Sequence, residues 1–535
     1  MNWTRRQLIR SGCAGFAGAC VQQKPHHVRG GQWTGGGLAS WGHQMLNAHS
    51  IQSNQSHRSE VVIVGAGISG LVCAFRLRKG GYMGKLTILE ASHEIGGTAA
   101  SRAGPWGNYP LGAHYLKIPN KEATYMQRIL RDLGAIVGTK SGKPVYDPTF
   151  LCFAPEERLA VYGLWQSGLW PQWVAKSQDN QQLEAFEEMV FKWQHRKGQD
   201  GRPAFSIPVA HSSQDTEIRA LTNISFDQWL TKQGFDSPVL RWWLEYGTRD
   251  DYGTLLQGTS AWAGLHYHCS RRPWMGRDRD VGSHILTWPG GNGWLVQRLK
   301  QHIDADWQKG SVVMALDPNL GIVQGEKLVS PGRTEAFSFQ ADHVVLAVPS
   351  FIADRLLKRS HQPTIESSPW VVANLHCTEL PKSVGTAIAW DNVIYGAESL
   401  GYVVNTHQSL YQQNGGTLSW YYPHCDLNLA QARRAAAAWS WDSLETKILT
   451  ELVEVHPNIY EVVDAIDVHI WGHGTTRPTL GLHHSEELLK RQQAIGRTQL
   501  AHSDLSGMSL FEESAYHGVK AAQAILNTPA NESWL

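Results

Sequence analysis

A glycine-rich turn near residue 65 has the sequence and the position of a phosphate-binding loop. Val61–Val64 is an apolar run of strand length, Gly65-Ala-Gly-Ile-Ser-Gly70 follows directly, and Leu71–Leu77 continues as an apolar-rich helix. The first glycine of such a turn permits the tight bend, the second lets the backbone approach a pyrophosphate, and the third lets the helix pack closely on the strand. The pyrophosphate charge is then favoured at the helix N-terminus.

The next strand ends in an acid at the separation expected for a dinucleotide site. Leu86-Thr-Ile-Leu-Glu90 is a short apolar run, and Glu90 follows Gly70 by twenty residues. A carboxylate at that place accepts hydrogen bonds from ribose hydroxyl groups. A lone glycine turn would be a weak signal, but the strand, turn, helix and acid together predict dinucleotide binding.

The residues that follow Glu90 distinguish FAD from NAD. Glu90-Ala-Ser-His-Glu-Ile-Gly96-Gly97 resembles the extended FAD fingerprint of the flavin-containing amine oxidase and phytoene-desaturase superfamily, in which a Gly-Gly pair lies near the pyrophosphate. That family usually has arginine after the second glycine. Here the position is Thr98, and Arg102 is the candidate replacement. Leu111-Gly-Ala-His-Tyr115 resembles the family's segment that passes by the flavin.

The C-terminal region resembles the second half of the same FAD site. Leu500-Ala-His-Ser-Asp504 precedes a loop, and Ser514–Leu526 then has a helical pattern. The resemblance implies that Asp504 binds the ribityl or pyrophosphate portion of FAD. It also implies that backbone N–H groups around Leu510–Glu512 face the N1/O2 edge of the flavin. Reduced flavin carries negative charge at that edge, and donors at a helix N-terminus stabilise it.

The resemblance continues in order from residue 59 to residue 527 and covers most of the chain. It implies one non-covalent FAD, because the cysteine that attaches flavin in some members has no counterpart near Trp471–Gly481. The residues that the resemblance implies for FAD binding are Gly65, Gly67, Ser69, Gly70, Glu90, Gly96, Gly97, Val313, Asp504, Phe511 and Glu512.

The same resemblance predicts an α/β fold in which a Rossmann-like FAD-binding domain is assembled from discontinuous segments. An α+β substrate domain is inserted between those segments. The predicted division is a signal and flexible linker at 1–58, an FAD-binding domain at 59–135, 285–365 and 485–530, and a substrate domain at 136–284 and 366–484. The first inserted range contains helical patterns, and the second contains four strand-like runs.

Composition excludes several classes of function. The net charge is +1 with no basic run beyond the N-terminus, which argues against nucleic acid as a partner. The seven cysteines show neither metal-ligand spacing nor a CxxC pair, so we predict no metal site. The 23 tryptophans stabilise cores in most cases, but aromatic rings also line apolar or cation-binding pockets.

The N-terminus resembles an export signal. Thr4-Arg-Arg-Gln-Leu-Ile-Arg10 matches a twin-arginine motif, and a weakly apolar stretch follows; a plain basic tail is the alternative interpretation. The twin-arginine translocase carries folded proteins, which suits an enzyme that must acquire FAD first. We therefore predict a periplasmic protein. A second interpretation of Ala17-Gly-Ala-Cys20 is a lipoprotein cleavage box, in which acylated Cys20 would tether the mature protein to a membrane.

The substrate side of the site is less well defined. Many family members place a lysine near flavin N5, but the matching strand carries Ala373-Asn374 instead. We take Asn374 and His473 as the candidate catalytic residues, with His473 as the polar group near the flavin ring. Glu245–Tyr252 is dense in charges and aromatic rings. Its Arg249 could form a structural ion pair with the adjacent aspartates, or the segment could recognise a cationic substrate or supply a general base.

Three functions follow from these observations. The leading hypothesis is an exported FAD-dependent oxidoreductase that transfers hydride from an amine or polyamine carbon to flavin N5, with O2 or an envelope protein as electron acceptor. The missing lysine and the many tryptophans favour a desaturase or isomerase of an apolar substrate as the alternative. A non-catalytic FAD-containing envelope protein is the third.

Replacing Arg5 and Arg6 by lysine should block export, because the translocase reads the arginine pair. We expect folded, flavin-loaded protein to accumulate in the cytoplasm, as measured by fractionation and immunoblotting. An Arg10→Lys variant, which alters a basic residue outside the pair, is the matched control. An unchanged envelope fraction in the double variant would refute the export prediction.

Overall fold

The computed structural model describes residue 28 and the ranges 30–34, 56–271, 285–330, 332–359, 365–411, 413–529 and 532–535. The twin-arginine motif and Cys20 lie outside these residues, so both stay predictions from sequence. The described strands are, in chain order, β1 (Trp33–Thr34), β2 (Ser56–Val64), β3 (Leu86–Glu90), β4 (Ser101–Gly104), β5 (Gly107–Pro110), β6 (Tyr115–Lys117), β7 (Ile136–Lys140), β8 (Lys143–Tyr146), β9 (Glu157–Val161), β10 (Leu164–Ser167), β11 (Ile285–Thr287), β12 (Asp306–Lys309), β13 (Ser311–Asp317), β14 (Ile322–Ser330), β15 (Arg333–Leu346), β16 (Ser367–Cys377), β17 (Asp391–Ile394), β18 (Tyr402–Val404), β19 (Gly416–Pro423), β20 (Val463–Thr476) and β21 (Thr498–Leu500).

The described α-helices connect and cover these strands. They are α1 (Ile68–Lys79), α2 (Thr124–Asp132), α3 (Ser177–His195), α4 (Thr216–Ala220), α5 (Phe226–Lys232), α6 (Pro238–Tyr252), α7 (Ala261–Cys269), α8 (Gly293–Gln301), α9 (Ser350–Leu356), α10 (Leu429–Ala438), α11 (Trp441–Val453), α12 (Ile459–Val462), α13 (Glu486–Arg491) and α14 (Phe511–Leu526). Short 3₁₀ turns lie at Gly97–Ala99, Val209–His211, Leu221–Asn223, Asn405–Gln408 and Ser503–Ser506.

One sheet, of seven strands in the described ranges, carries the glycine turn. Its order is β12-β3-β2-β15-β14-β13, and β21 pairs with β15. Strands β12, β3, β2, β15 and β21 are parallel, whereas β13, β14 and β15 form an antiparallel meander. Residues 61–64 of β2 are buried on both faces of the sheet, which explains the continuous apolar run in the sequence. The predicted α/β class with a Rossmann-like sheet is confirmed.

Helices α1 and α14 pack against each other beside this sheet, although they lie more than 400 residues apart in the sequence. A Cβ atom on Gly518 of α14 would lie 2.5 Å from the backbone oxygen of Ser69 in α1. The small residue therefore lets the C-terminal helix approach the helix that follows the glycine turn. This packing brings the two halves of the predicted dinucleotide site together.

The second sheet has eight strands among the described residues, in the order β1-β20-β16-β19-β18-β17-β9-β10. The fully buried strand β16 pairs antiparallel with both β20 and β19. All four strand-like runs predicted in the second inserted range are strands of this sheet. Its strands come from 157–167, 367–423 and 463–476, with β1 added at one edge. These pairings do not test the predicted domain boundaries, which stay a prediction.

A helical layer built by α3, α5, α6 and α7 lies next to this sheet around a core that includes Phe226 and Trp262. The helical patterns of the first inserted range lie at 181–197 and 225–233 in the sequence, and they correspond to α3 and α5. His266 and His268 alternate in the sequence, and that spacing predicts an extended segment; the prediction is wrong, because both residues belong to α7. The Ser260 side chain accepts a hydrogen bond from the Ala263 N–H and caps that helix.

Among the helices that the structure describes, none is long and apolar enough to cross a membrane.

Candidate functional site

The glycine turn leaves open space where a phosphate would approach the backbone. Gly65 has a φ angle of +99°, which favours glycine, and a Cβ atom on Gly70 would lie 2.0 Å from the Gly65 oxygen. A Cβ atom on Gly67, in contrast, would have no described atom within 4 Å. Gly67 is the N-cap of α1, and no side chain caps this helix end. The buried Oγ of Ser69 has no hydrogen-bond partner among the described residues. The turn therefore presents unused donors to an anion.

Glu90 lies beside this turn and is tied to it by backbone hydrogen bonds. Its two carboxylate oxygens accept the N–H groups of Ala66 at 2.7 Å and Ser92 at 2.8 Å. Burial raises the pKa of Glu90, and these backbone donors oppose that shift. Each carboxylate oxygen can accept a further hydrogen bond, so ribose binding at Glu90 is compatible with this geometry.

The Gly-Gly pair lies against the same turn. Gly96 forms a parallel bridge with Gly67, and its N–H donates to the Ala66 oxygen at 2.8 Å. Gly96 and Gly97 have φ angles of +116° and +58°, so both need glycine's conformational freedom. A Cβ atom on Gly97 would contact only the Gly67 Cα, at 3.4 Å. The structure thus brings both glycine motifs to one opening.

Asp504 is fully buried, and both of its oxygens already have protein partners. They accept the Ser350 N–H at 2.8 Å and the Thr476 hydroxyl at 2.6 Å, and the His502 ring lies 3.2 Å away. Burial alone would raise the pKa of Asp504, but His502 and these hydrogen bonds hold it well below its usual range. Asp504 joins the start of α9 to the end of β20. The structure therefore shows Asp504 connecting these two elements, and its predicted contact with FAD stays a prediction.

Three other predicted cofactor residues lie in two different places. Val313 is buried in β13 within the apolar core of the seven-stranded sheet. Phe511 and Glu512 begin α14 and line a cavity described below.

Arg102, the candidate replacement for the family's phosphate-binding arginine, is engaged by Glu94 at 2.8 Å and by Gln32 at 3.0 Å. Its guanidinium is committed to these partners.

A cavity of about 170 Å³ lies between the N-terminus of α14, strands β6 and β16, and helix α6. It is lined by Thr98, Gly112, Ala113, His114, Tyr115, Leu116, Lys117, Asp250, Asp251, Arg271, Asn292, Trp370, Val372, Tyr421, Trp471, Gly474, Thr475, Ser509, Leu510, Phe511 and Glu512. The segment 112–115 and the start of α14, both predicted to face the flavin, thus share one cavity.

The cavity contains charged groups of both signs. Arg271 and Glu512 form an ion pair at 2.6 Å. Asp250 and Asp251 are adjacent at the end of α6, and Lys117 lies over the ring of Tyr267 at 5.0 Å. Arg271 is paired with Glu512, and Lys117 is a further cation of the cavity wall that acts on both aspartates.

Burial makes the two aspartates hold protons more tightly than usual. Burial, and next the charge of Asp251, raise the pKa of Asp250 to about 7, while Lys117 opposes the shift. Burial also raises the pKa of Asp251, against the pull of Lys117 and Arg271. The pKa of Lys117 is lowered by burial and then by Arg271. One of the paired carboxyl groups can therefore exchange a proton near neutral pH.

Aromatic rings form the opposite wall of the cavity. The ring of His114 lies 4.8 Å from that of Tyr421 and 5.4 Å from that of Trp390. Burial lowers the pKa of His114 to about 4, so this ring is neutral at physiological pH. Trp471 donates through Nε1 to the Leu111 oxygen at 2.6 Å and is held against the 111–115 segment. These rings give the cavity rigid, largely apolar surfaces.

Neither candidate catalytic residue lines the cavity. Asn374 follows Trp370 and Val372 on the same face of β16, but its amide donates to the Pro110 oxygen at 3.1 Å and its oxygen accepts from Ser419. The side chain is fully used in packing β16 against the chain just before the 111–115 segment. His473 stacks on Phe351 at 4.0 Å instead of turning inward, and the register of β20 against β16 shifts between Trp471 and Thr475, on either side of it.

The ion pair considered for Arg249 is also not formed. Its guanidinium donates to backbone oxygens of Ala397 and Ser399 at 3.3 and 3.2 Å and also contacts Glu398. The adjacent aspartates are therefore left for the cavity. Lys117 was not predicted as a site residue, although the sequence contained a signal for it. It lies two residues after Tyr115 on β6 and so on the same face of that strand, and Tyr115 ends the segment predicted to pass the flavin.

Comparisons with known proteins support the fold. Residues 63–133 match the family model described as an NAD(P)-binding Rossmann-like domain. No curated protein matches the sequence. Among solved structures, wild-type putrescine oxidase bound to putrescine is 16% identical with a TM-score of 0.61, covering 88% of this chain and 100% of that chain.

Two further structures show the range of activities on this fold. Cyclohexylamine oxidase from Brevibacterium oxydans IH-35A is 16% identical, with a TM-score of 0.60 and coverage of 88% of this chain and 99% of its own. A fatty acid isomerase from P. acnes that produces CLA is 15% identical, with a TM-score of 0.56 and coverage of 90% and 100%. At these identities the likeness shows a shared fold: a Rossmann-like dinucleotide-binding domain within a larger α/β chain.

Gly67→Val should abolish dinucleotide binding, because the branched side chain would occupy the open space at the N-terminus of α1. Gly138→Val is the matched control: Gly138 lies in β7, and its nearest neighbour to an added Cβ is Val145 at 4.0 Å. We expect FAD fluorescence titration to show no binding for Gly67→Val and normal binding for the control. Normal binding by Gly67→Val would contradict the phosphate assignment.

Glu90→Ala should weaken FAD binding by about ten- to a few hundred-fold, because one or two charge-assisted hydrogen bonds of roughly 1.5–3 kcal/mol each are lost. Equilibrium dialysis against FAD measures the change. Glu90→Gln serves as a comparison that preserves the shape while removing the charge. If Glu90→Ala bound FAD as tightly as the unaltered protein, the ribose assignment would be wrong.

Proposed function

We propose that this chain is an FAD-dependent oxidoreductase that oxidises an amine at the carbon next to nitrogen. The observation that carries the proposal is the single cavity shared by the segment 112–115, the start of α14, the Asp250–Asp251 pair and the aromatic wall. The likeness to amine oxidases supports the fold on which this proposal depends.

The residues around the glycine turns fit a bound FAD. The open face of Gly67 and the unpartnered Ser69 hydroxyl suit the pyrophosphate, and Glu90 suits a ribose. Leu510 at the start of α14 has no side-chain cap, so backbone N–H groups remain available at the cavity. Bound FAD would supply the hydride acceptor of the reaction. We propose that it is held without a covalent bond.

The aspartate pair is suited to a positively charged substrate. At a pH below about 7, one proton on the pair leaves a single negative charge, which balances the positive charge of Lys117. A cationic amine that enters the cavity favours the ionised form of both carboxylates and so displaces this proton. The ionised Asp250 is then a proton acceptor for the bound ammonium, which must become neutral before its carbon can release hydride. Lys117 and Arg271 limit the excess negative charge of the empty cavity.

The aromatic wall contributes through position and through water exclusion. Rings of Tyr421, Trp471 and Trp370 give flat apolar surfaces against which a substrate chain can pack. Their faces are also attractive to a cation. The Trp471 and Tyr421 side chains are anchored on the oxygens of Leu111 and Gly112, so the wall and the flavin-side segment hold each other in place.

A desaturase or isomerase of an apolar substrate is the second candidate. The ring-lined wall and the structural likeness to a fatty acid isomerase favour it. The buried charges argue for the amine, because an apolar chain would bring no cation to the two buried carboxylates. We further propose export by the twin-arginine route, with O2 or an envelope protein as electron acceptor and an optional lipid anchor at Cys20. A non-catalytic FAD-containing envelope protein would bind FAD but transfer no electrons from substrate.

Purified protein should release FAD on acid precipitation and show bleaching of its flavin absorbance when mixed anaerobically with putrescine or cyclohexylamine. An unsaturated fatty acid tested in parallel should leave the flavin oxidised. Bleaching or double-bond migration with the fatty acid alone would favour the second candidate, and FAD without reduction by either class would favour the non-catalytic protein. Colour that stays in the acid pellet would contradict non-covalent binding.

Apparent amine affinity should strengthen as pH rises through about 7, because the raised pKa of Asp250 keeps it neutral below that pH. Asp250→Asn should weaken amine binding by roughly 10²-fold above that pH and remove this pH dependence. Asp227→Asn, in an acid that pairs with Arg241 at 2.6 Å away from the cavity, is the matched control.

A further inference from the structure

Asp391 lies close enough to Asp250 and to Glu157 for the charges of both to act on its carboxyl group. Asp250 lines the cavity, Asp391 is half-buried, and Glu157 is exposed. Tyr246 is near both Asp391 and Asp250: its hydroxyl lies 3.5 Å from Oδ2 of Asp391, and the charge of Asp250 acts on it. These four side chains come from three separate elements, α6, β9 and β17.

Two regular spacings of the fold place these four side chains. In the parallel pair of β9 and β17, Asp391 is in register with Glu157, so both side chains project from the same face of the sheet. Tyr246 and Asp250 are four residues apart on α6, and residues with that separation lie on the same face of a helix. The α6 face that carries them thus points both to Asp391 and to the cavity.

The charges of these carboxyl groups also affect one another. Burial, then the charges of Asp250 and Glu157, raise the pKa of Asp391 well above its usual value, and Tyr246 opposes the shift. Asp391 therefore holds a proton under conditions in which an isolated aspartate would not. The titratable and charged groups around Asp250 are Tyr115, Lys117, Tyr246, Arg249, Asp251, Tyr267, Asp391 and Tyr421.

We propose that Asp250, Tyr246, Asp391 and Glu157 form a proton route between the cavity and solvent. The use of this route rests on the proposed amine oxidation, in which a bound ammonium must lose a proton inside a cavity walled by aromatic rings. The existence of the route rests only on the chain's own geometry. Asp250 is its inner end and Glu157 its outer end.

The proton transfers involve no change in oxidation state. An N–H bond of the ammonium breaks, its electron pair stays on nitrogen, and an O–H bond forms on Asp250. Asp391 releases the proton that it holds to Glu157, which passes it to water. The proton on Asp250 then moves to Asp391, with the Tyr246 hydroxyl accepting one proton and donating its own. Asp250 returns to the carboxylate and can accept the next proton.

A pH jump from about 8 to about 6 tests the route without any substrate. Proton uptake by the full-length protein is followed in a stopped-flow instrument with a pH indicator in weak buffer. In the unaltered protein we expect the cavity proton to equilibrate within the mixing time. In Asp391→Asn and in Glu157→Gln we expect a separate phase of about one proton per chain, slower by roughly 10²-fold or more.

Two controls separate proton transfer from a structural effect. Added formate should restore the fast uptake in both variants, because a small acid can replace the missing carboxyl group. The slow phase should disappear in the double variant Asp250→Asn/Asp391→Asn, in which the inner acceptor is gone. Glu156→Gln, next to Glu157 but not in register with Asp391, should behave as the unaltered protein does.

The absence of a slow phase in both Asp391→Asn and Glu157→Gln would overturn the proposal. A slow phase that formate leaves unchanged would do the same, because it would indicate a conformational step. Glu157 is exposed, so its substitution keeps the test open if Asp391→Asn does not fold. The outcome is independent of amine oxidation: flavin that no amine reduces would refute the proposed function alone, and normal proton uptake in the variants would refute the route alone.

Discussion

The buried carboxylate of Asp504 connects the seven-stranded sheet with the eight-stranded sheet through its hydrogen bonds. Asp504 accepts from Ser350 at the end of the seven-stranded sheet and from Thr476 at the end of the eight-stranded sheet. It also lies directly before the loop that leads to α14. A charge buried so deeply is tolerated because donors surround it, and its removal would leave them unpaired. The position of the helix N-terminus at the cavity depends on this junction.

The cavity shows how burial changes the chemistry of ordinary residues. Two aspartates, a lysine and an arginine would be fully ionised in water. Within the cavity, Arg271 is paired with Glu512. Burial raises the pKa values of the two aspartates, and the charge of Lys117 offsets only part of that rise. The cationic substrate that we propose would complete this balance of charges. The same burial spreads the effect to Asp391, which links the charge of the cavity to the surface.

Much of the dinucleotide site could be predicted because its signals are local. Gly65, Gly67 and Gly70 meet backbone requirements within one turn, and Glu90 ends the adjacent strand of the same βαβ unit. The direct roles predicted for Asn374 and His473 rested on position along a strand. Such a prediction does not show which face is already occupied: Asn374 is used by Pro110 and Ser419, and His473 stacks on Phe351.

By itself, the sequence determined the strand–turn–helix unit and four strands of the second sheet, because these depend on spacing between near neighbours. The α/β class followed from the resemblance to a known family. The tertiary structure alone decided which charges meet. Lys117, Asp250, Arg271 and Glu512 are separated by up to several hundred residues, and only the packing of β6, α6 and α14 brings them into one cavity. Their pKa shifts arise from burial and mutual distance, and neither quantity is encoded in local sequence.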